Sequence, residues 1–442
     1  MRVFVIGAGQ VGTTIVEALH TDHRLTVVDL DQARLDALSH RFEVTVANGN
    51  GASRRTMQEA GVASADLFIA CTSRDEINII SSLLSRKLAP NATTIVRTGN
   101  AEYLEVWRER ELDFDHMVSS EEETAHAISQ FIGVPAAKQT DVFAGGQVQI
   151  VELEVDPEVG HATAMGLPLR EAALPQDSRV VGIIRGDRQI LPRGAETIEG
   201  GDRIVIIGSP RAVREWCGLV TRGRRRVEDV VIFGAGRAGV ATARLLLKEG
   251  IGVRLIETNT ERAREVADQL PKARVLRATG IDPDFLQRER VDQAEAAVFA
   301  MRDDAKNLYA ATLARLHGVE YTIAIAHEAA SVRVFETAGI DVAVDPRRLT
   351  AEEIVRFAHD PRTQQVAMLE GDRYEILDIV VRDESELVDR PFRQMPMTGI
   401  VIGAIVRDGK AFFPRGEDVL EAGDRVILFT ESRRVAEVER TL

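Results

Sequence analysis

The chain has 442 residues, of which 45% are hydrophobic and 28% charged, a balance that fits a multi-domain globular protein and not a disordered or fibrous one. Its formal net charge of −14 repels phosphate backbones, so no nucleic-acid partner is expected. No apolar run reaches the roughly 20 residues that cross a bilayer, and the N-terminus lacks the pattern of a signal peptide; a cytoplasmic protein with at most peripheral membrane contact is expected.

The first predicted element is the strand at 2–6, which ends in "FVIGAGQVG" (4–12), where Gly7, Gly9 and Gly12 fall at G-x-G-x-x-G spacing before a helix at 10–20. In the dinucleotide fingerprint the first glycine makes the tight turn, the second lets the backbone approach a pyrophosphate, and the third lets helix and strand pack closely. The turn residues Gly7, Ala8 and Gly9 then lead into the amides of Gln10 and Val11, which face the phosphates with the helix dipole behind them. Strands at 24–29, 43–47, 66–71 and 93–97 alternate with helical segments such as 75–88, which predicts a doubly wound parallel sheet. Asp29 ends the second strand where an acid would hold a ribose hydroxyl, and it disfavours a 2′-phosphate, so NAD(H) is preferred over NADP(H). Asn50 follows the third strand on the side of an adenine edge. Thr72 and Ser73 follow the fourth as donors, and Arg97 ends the fifth with a guanidinium suited to phosphate.

Beyond this α/β domain, placed at 1–135, the segment 140–220 shows short alternating runs, "VQIVELEV", "RVVGIIR" and "RIVIIG", with turns between them; a small α+β domain is expected. The basic run "RGRRR" (222–226) reads as a solvated linker, with a nucleotide-phosphate or acidic-partner contact as the alternative.

The whole plan then repeats. "VFVIGAGQVG" from Val3 returns as "VVIFGAGRAG" from Val230, with Gly234, Gly236, Arg237 and Gly239 in the places of the first turn and Glu257 in that of Asp29. "SRDEINI" matches "RDDAKNL", pairing Asp75 with Asp304 and Asn78 with Asn307. "LPRGAETIEGGDRIVIIG" from Leu191 matches "FPRGEDVLEAGDRVILFT" from Phe413. The second α/β domain is placed at 228–360 and the second small domain at 368–442. The second copy differs at its mouth: Met301 and Arg302 replace Thr72 and Ser73, Ala326 replaces Arg97, and Thr279 replaces Asn50, so weaker binding or a different nucleotide is expected there. Capping and dipole matching account for the acids Asp75 and Asp304 at the start of a helix; ligand contact or domain pairing is the alternative.

Cys71 and Cys217 lie too far apart for a metal motif, and His20 and His23 read as surface residues near a helix end. No metal site and no catalytic residue is expected.

Together, "GAGQVG" with Asp29, "TSRDEIN", "RTGNAEY" and the "PRG…GDR" unit, all duplicated, resemble the TrkA family, the tandem RCK (regulator of K⁺ conductance) subunits of Trk-type potassium uptake systems. The resemblance covers essentially the whole chain, and the order of the four units carries it more than any one motif. It implies a homotetrameric gating ring on the inner face of the cell membrane, beneath a K⁺-translocating, TrkH-like subunit, with NAD(H) and ATP or ADP bound in the Rossmann domains. Two other readings are a free-standing nucleotide or redox sensor for a soluble partner and an NAD-dependent oxidoreductase. The oxidoreductase would need an acid or base set beside the nicotinamide, which neither small domain supplies.

Overall fold

A computed structural model describes residues 1–158, 165–186, 188–192, 194–221, 227–279, 282–358, 363–369, 374–394 and 399–442. The basic run 222–226 and Arg193 of the first Pro-Arg-Gly turn lie outside the described residues.

The first lobe is a parallel six-stranded sheet of Arg2–Ile6, Arg24–Asp29, Thr45–Asn48, Leu67–Ala70, Thr93–Thr98 and His116–Ser119, in spatial order 3-2-1-4-5-6. Its central strands are continuous apolar runs because helices cover both faces; all four residues of Leu67–Ala70 are buried. The order reverses between the first and fourth strands, and that switch point opens the crevice at their C-terminal ends. The sixth strand has no counterpart in the sequence reading: four residues after an irregular turn give too short an alternation to register. The second lobe repeats the topology with Asp229–Phe233, Gly252–Glu257, Arg274–Arg277, Ala296–Phe299, Thr322–Ile325 and Val342–Val344.

Each small domain is a five-stranded antiparallel sheet with a helix, so the chain is α/β with two α+β appendages. In the first, Ala137–Phe143, Val148–Glu154, Ser178–Arg185, Arg188–Ile190 and Arg203–Gly208 lie in order 4-3-5-2-1. In the second, Thr363–Leu369, Tyr374–Val380, Ile400–Arg407, Lys410–Phe412 and Arg425–Glu431 lie in order 1-2-5-3-4, the same topology read from the other edge.

The repeated Gly-Asp-Arg has a structural cause. The Asp202 carboxylate is buried and accepts from Arg185 Nε and Nη2, both at 2.8 Å, and from the Glu199 N–H at 2.8 Å. Asp424 does the same with Arg407, at 2.8 and 2.7 Å, and with Glu421 N–H at 2.8 Å. A buried carboxylate in the turn before a strand is tolerable only with such a bidentate partner.

Like pairs with like. The chain forms two compact units, one of residues 1–126 with 229–359 and the other of 127–228 with 360–442. In the second unit the two small sheets share one apolar cluster, in which Val205 and Ile207 meet Ile427 and Phe429. Gly403 is obligatory there, since a Cβ on it would fall 2.5 Å from Ile207 Cδ1. In the first unit helix Gln10–Leu19 packs on helix Pro346–Val355, and the Thr350 hydroxyl donates to Ser120 Oγ at 3.0 Å. His20, expected at the surface, is half-buried with its ring 4.8 Å from that of Phe42.

Candidate nucleotide sites

Both glycine turns have the geometry the fingerprint requires. Gly7 and Gly234 have φ of 112° and 108°, the left-handed side that favours glycine. A Cβ on Gly12 would lie 1.9 Å from the Gly7 carbonyl oxygen, and one on Gly239 would lie 2.1 Å from that of Gly234. Helices Gln10–Leu19 and Arg237–Lys248 start at Gly9 and Gly236, neither of which has a side chain to cap the first amides. Those N–H groups are left for an anion.

The acids that end the second strands brace the turns. Asp29 accepts from Ala8 N–H at 2.6 Å and from Asp31 N–H at 2.8 Å; Glu257 accepts from Ala235 N–H at 3.1 Å and Asn259 N–H at 2.8 Å. Burial pushes the Glu257 carboxyl up, but the amides of Asn259 and Ala235 more than offset this and hold it below the usual range. A carboxylate has room for further donors, so a ribose hydroxyl can share these oxygens.

The loop after the fourth strand lies against the turn in both lobes: a Cβ on Gly7 would meet Thr72 N at 3.1 Å, and one on Gly234 would meet Ala300 O at 2.7 Å. Buried Asn78 locks that loop. Its Oδ1 accepts from Thr72 N–H at 2.9 Å and Thr72 Oγ1 at 2.6 Å, and its Nδ2 donates to the carbonyls of Thr72 and Arg97, both at 3.0 Å. Asn307 makes the equivalent bonds to Met301 and Ile325. Asp75 accepts from Gly99 N–H at 3.1 Å, and Asp304 from His327 and Glu328 N–H at 2.8 and 3.0 Å. Capping is therefore not their role: these residues tie the fourth-strand loop to the fifth. Asn78→Ala is expected to cost about 2 kcal/mol by stranding buried partners, read as a lower urea midpoint with an unchanged slope.

Arg97 is half-buried, donating from Nε to Ser120 Oγ at 3.0 Å and from Nη1 to the Thr72 carbonyl at 3.2 Å. In the second lobe the sheet register sets Ile325, not the expected Ala326, in the place of Arg97, because the Asn307 bond that matches Asn78–Arg97 goes to the Ile325 carbonyl; His327 Nε2, two positions further on, lies 3.0 Å from the Met301 carbonyl. Ser73 is exposed beside Thr72. Asn50 lies in a loop pressed onto the first strand, since a Cβ on Gly51 would fall 2.2 Å from Ile6 Cγ2, and its Oδ1 accepts from Ala52 N–H at 2.9 Å. The turn, Asp29, Thr72 and Arg97 thus form one connected set, with Asn50 on the other side of the first strand's end.

The second lobe holds a cavity of about 590 Å³, lined by Gly234–Gly236, Glu257–Asn259, Arg262, Ala278, Thr279 and Ala300–Asp303 with Lys306. That is the size of a small-molecule site. Arg262 and Lys306, in the first turns of helices Thr260–Gln269 and Asp304–Leu316, lie beyond the strand ends where the sequence signal sits.

The turns also reach across the lobe seam. Gln10 Nε2 donates to Glu328 Oε2 at 3.0 Å, and Arg237 Nη1 donates to the Gly99 carbonyl at 3.0 Å. Each glycine turn is thereby bonded to the loop after the fifth strand of the opposite lobe.

Two Rossmann-type lobes with glycine turns at their switch points, each followed along the chain by a small antiparallel domain, define a tandemly duplicated α/β protein. The chain belongs to the TrkA family: the TrkA-N domain matches residues 3–120 and 230–346, and the TrkA-C domain matches 158–219 and 376–442. It is 31% identical over 442 residues to a Trk system potassium uptake protein TrkA homolog of Archaeoglobus fulgidus, covering 99% of each chain. It is 29% identical to Trk system potassium uptake protein TrkA of Haemophilus influenzae, covering 100% of this chain and 98% of that one. Its fold is that of tandem RCK domains. The crystal structure of the GsuK RCK domain superposes with a TM-score of 0.59 at 19% identity, over 100% of this chain and 94% of that one. A structure of the GsuK channel bound to NAD gives 0.60 at 18% identity, over 100% and 78%. No helix among the described residues is long and apolar enough to cross a membrane.

Proposed function

We propose that this chain is the nucleotide-sensing regulatory subunit of a Trk-type potassium uptake system. In this reading it binds NAD(H) and adenine nucleotides (ATP or ADP) in its lobes and controls K⁺ flux through a TrkH-like membrane subunit. It acts as a homotetrameric ring on the cytoplasmic face and catalyses no reaction. The domain division 1–135, 140–220, 228–360 and 368–442 is part of the same reading. The cavity at the second glycine turn carries it; the names of the full-length relatives and the NAD-bound GsuK channel support it.

The residues fit the ligand class. Uncapped amides after Gly9 and Gly236 suit a pyrophosphate, and no Cβ stands in its way at either turn. Asp29 and Glu257 suit a ribose diol. A nucleotide drawn onto the amides shifts the start of helix Gln10–Leu19 or Arg237–Lys248, and the Gln10–Glu328 and Arg237–Gly99 bonds pass the shift to the other lobe. A ligand moves such an equilibrium only by its difference in affinity for the two arrangements, about 1.4 kcal/mol for each tenfold. Identical sites around a ring add these terms, which turns modest selectivity into a steep response.

Asp29→Ala removes both the ribose acceptor and the brace on Ala8. Calorimetric titration with NADH is expected to show one site per chain weakened at least about tenfold, the second unaffected. Nucleotide-dependent K⁺ flux in vesicles carrying the complex should weaken in step; flux unchanged in Asp29→Ala counts against the proposal.

A further inference from the structure

The two sites differ most in where they carry charge. In the first lobe the cations around the fourth-strand loop are Arg74, the exposed residue that precedes helix Asp75–Leu88, and Arg97, on the fifth strand. In the second lobe those positions are Asp303 and Ile325, and the cations are shifted to either side of Asp303: Arg302 and Lys306 both line the cavity and both are exposed. Their counterparts in the first lobe, aligned through Asn78 and Asn307, are Ser73 and Ile77, neither of them charged.

We propose that the second lobe selects adenine nucleotides ending in a free phosphate, with Arg302 and Lys306 as the residues that hold it. This deepens the nucleotide reading above and rests on it. The Ala300–Met301 backbone is pressed onto Gly234, so a phosphate chain leaving the glycine turn runs directly toward Arg302 and the first turn of helix Asp304–Leu316. Asp303 is already engaged there: its Oδ1 accepts from Lys306 N–H at 3.0 Å, capping the helix. Its ion pair with the Lys306 ammonium is 4.0 Å long between two well-exposed side chains, a contact that holds little and yields readily to a phosphate dianion. Arg262 is committed elsewhere, donating from Nε to the Ala235 carbonyl at 3.0 Å and pairing with Glu265 at 2.9 Å. A terminal phosphate carries its full charge into this pair of cations. A dinucleotide brings a second, uncharged ribose to the same place and leaves both cations without an anion.

The test titrates the full-length chain with ADP, AMP and NADH, comparing wild type with an Arg302→Ser, Lys306→Ala double variant that restores first-lobe character. Because both side chains are exposed, the melting temperature should not change. The expected result is a loss of at least about tenfold in ADP affinity at one site per chain, with NADH binding unchanged and Lys306→Arg alone close to wild type. Unchanged ADP affinity in the double variant, or a loss confined to the site that Asp29→Ala also removes, overturns the assignment while leaving the nucleotide reading standing. Failure of the wild-type chain to bind any of the three ligands overturns that reading and this one with it.

Discussion

Gly12→Ala is expected to abolish nucleotide binding in the first lobe and to leave the second lobe's intact, with Gly239→Ala doing the reverse. A methyl group on Gly12 would sit 1.9 Å from the Gly7 carbonyl oxygen, and that neighbour is backbone, so no side-chain rotation relieves the clash. The strand and the helix must part, and the amides of Gln10 and Val11 move off the phosphate position. The cost exceeds the roughly 1–3 kcal/mol of ordinary overpacking, since no rotamer can absorb it. Gly61→Ala serves as the control: φ there is 83° but nothing lies within 4 Å of the added carbon. That change is expected to cost only the left-handed strain of about 1–2 kcal/mol and to leave binding untouched. Calorimetry with NADH and ADP on the three variants distinguishes the cases, and full binding by Gly12→Ala would show that the turn is not where the ligand sits.

Much of this site was legible because the residues involved obey local rules. Gly7, Gly9 and Gly12 are dictated by a turn whose geometry depends on neighbours within a few positions, and the strand–turn–helix grammar around them is equally local. The duplication made the fold legible as well, since two copies of one pattern exclude chance. What stayed hidden depends on long-range pairing. Asn78 repeats as Asn307 in the sequence with no sign of its role; three of its four bonds go to Thr72 and one to Arg97, a fact of tertiary register. Asp75 and Asp304 likewise bond a loop more than twenty residues away. Arg97 reads as a phosphate ligand and also holds Ser120 and the Thr72 carbonyl, a brace that His327 supplies in the other lobe from two positions further along. The pairing of lobe with lobe and of small domain with small domain cannot be read from their alternation along the chain.

That pairing makes stability sensitive to pH through a carboxyl group at the lobe seam. Glu123, on helix Ser120–Gly133, lies near Glu353 and Arg356 at the end of helix Pro346–Val355, with Glu122 beside it on its own helix. Arg356 pairs with Glu353 at 2.6 Å and lies over the Phe357 ring at 4.8 Å, and that ring is 4.0 Å from His116. Two carboxyl groups thus share one guanidinium in a largely buried place. Burial and then the neighbouring Glu353 push Glu123 up to about 7, and burial also raises Glu353. A carboxyl whose pKa is higher in the folded state stabilises fully below its unfolded value of about 4.5 and loses that contribution as pH rises toward 7. His116 acts oppositely: burial lowers its pKa, so its contribution is lost as pH falls below about 6.5. Glu123→Gln separates the two by fixing the neutral form at one position. The variant should match wild type near pH 4.5, and above pH 7 it should be more stable, by an amount on the order of 3 kcal/mol at most for a shift of this size. Denaturant titrations at pH 5 and pH 8 measure the difference. A Glu123→Gln variant less stable than wild type at pH 8 would mean that an ionised Glu123 is held by Arg356, and the seam would then tighten with rising pH instead of loosening.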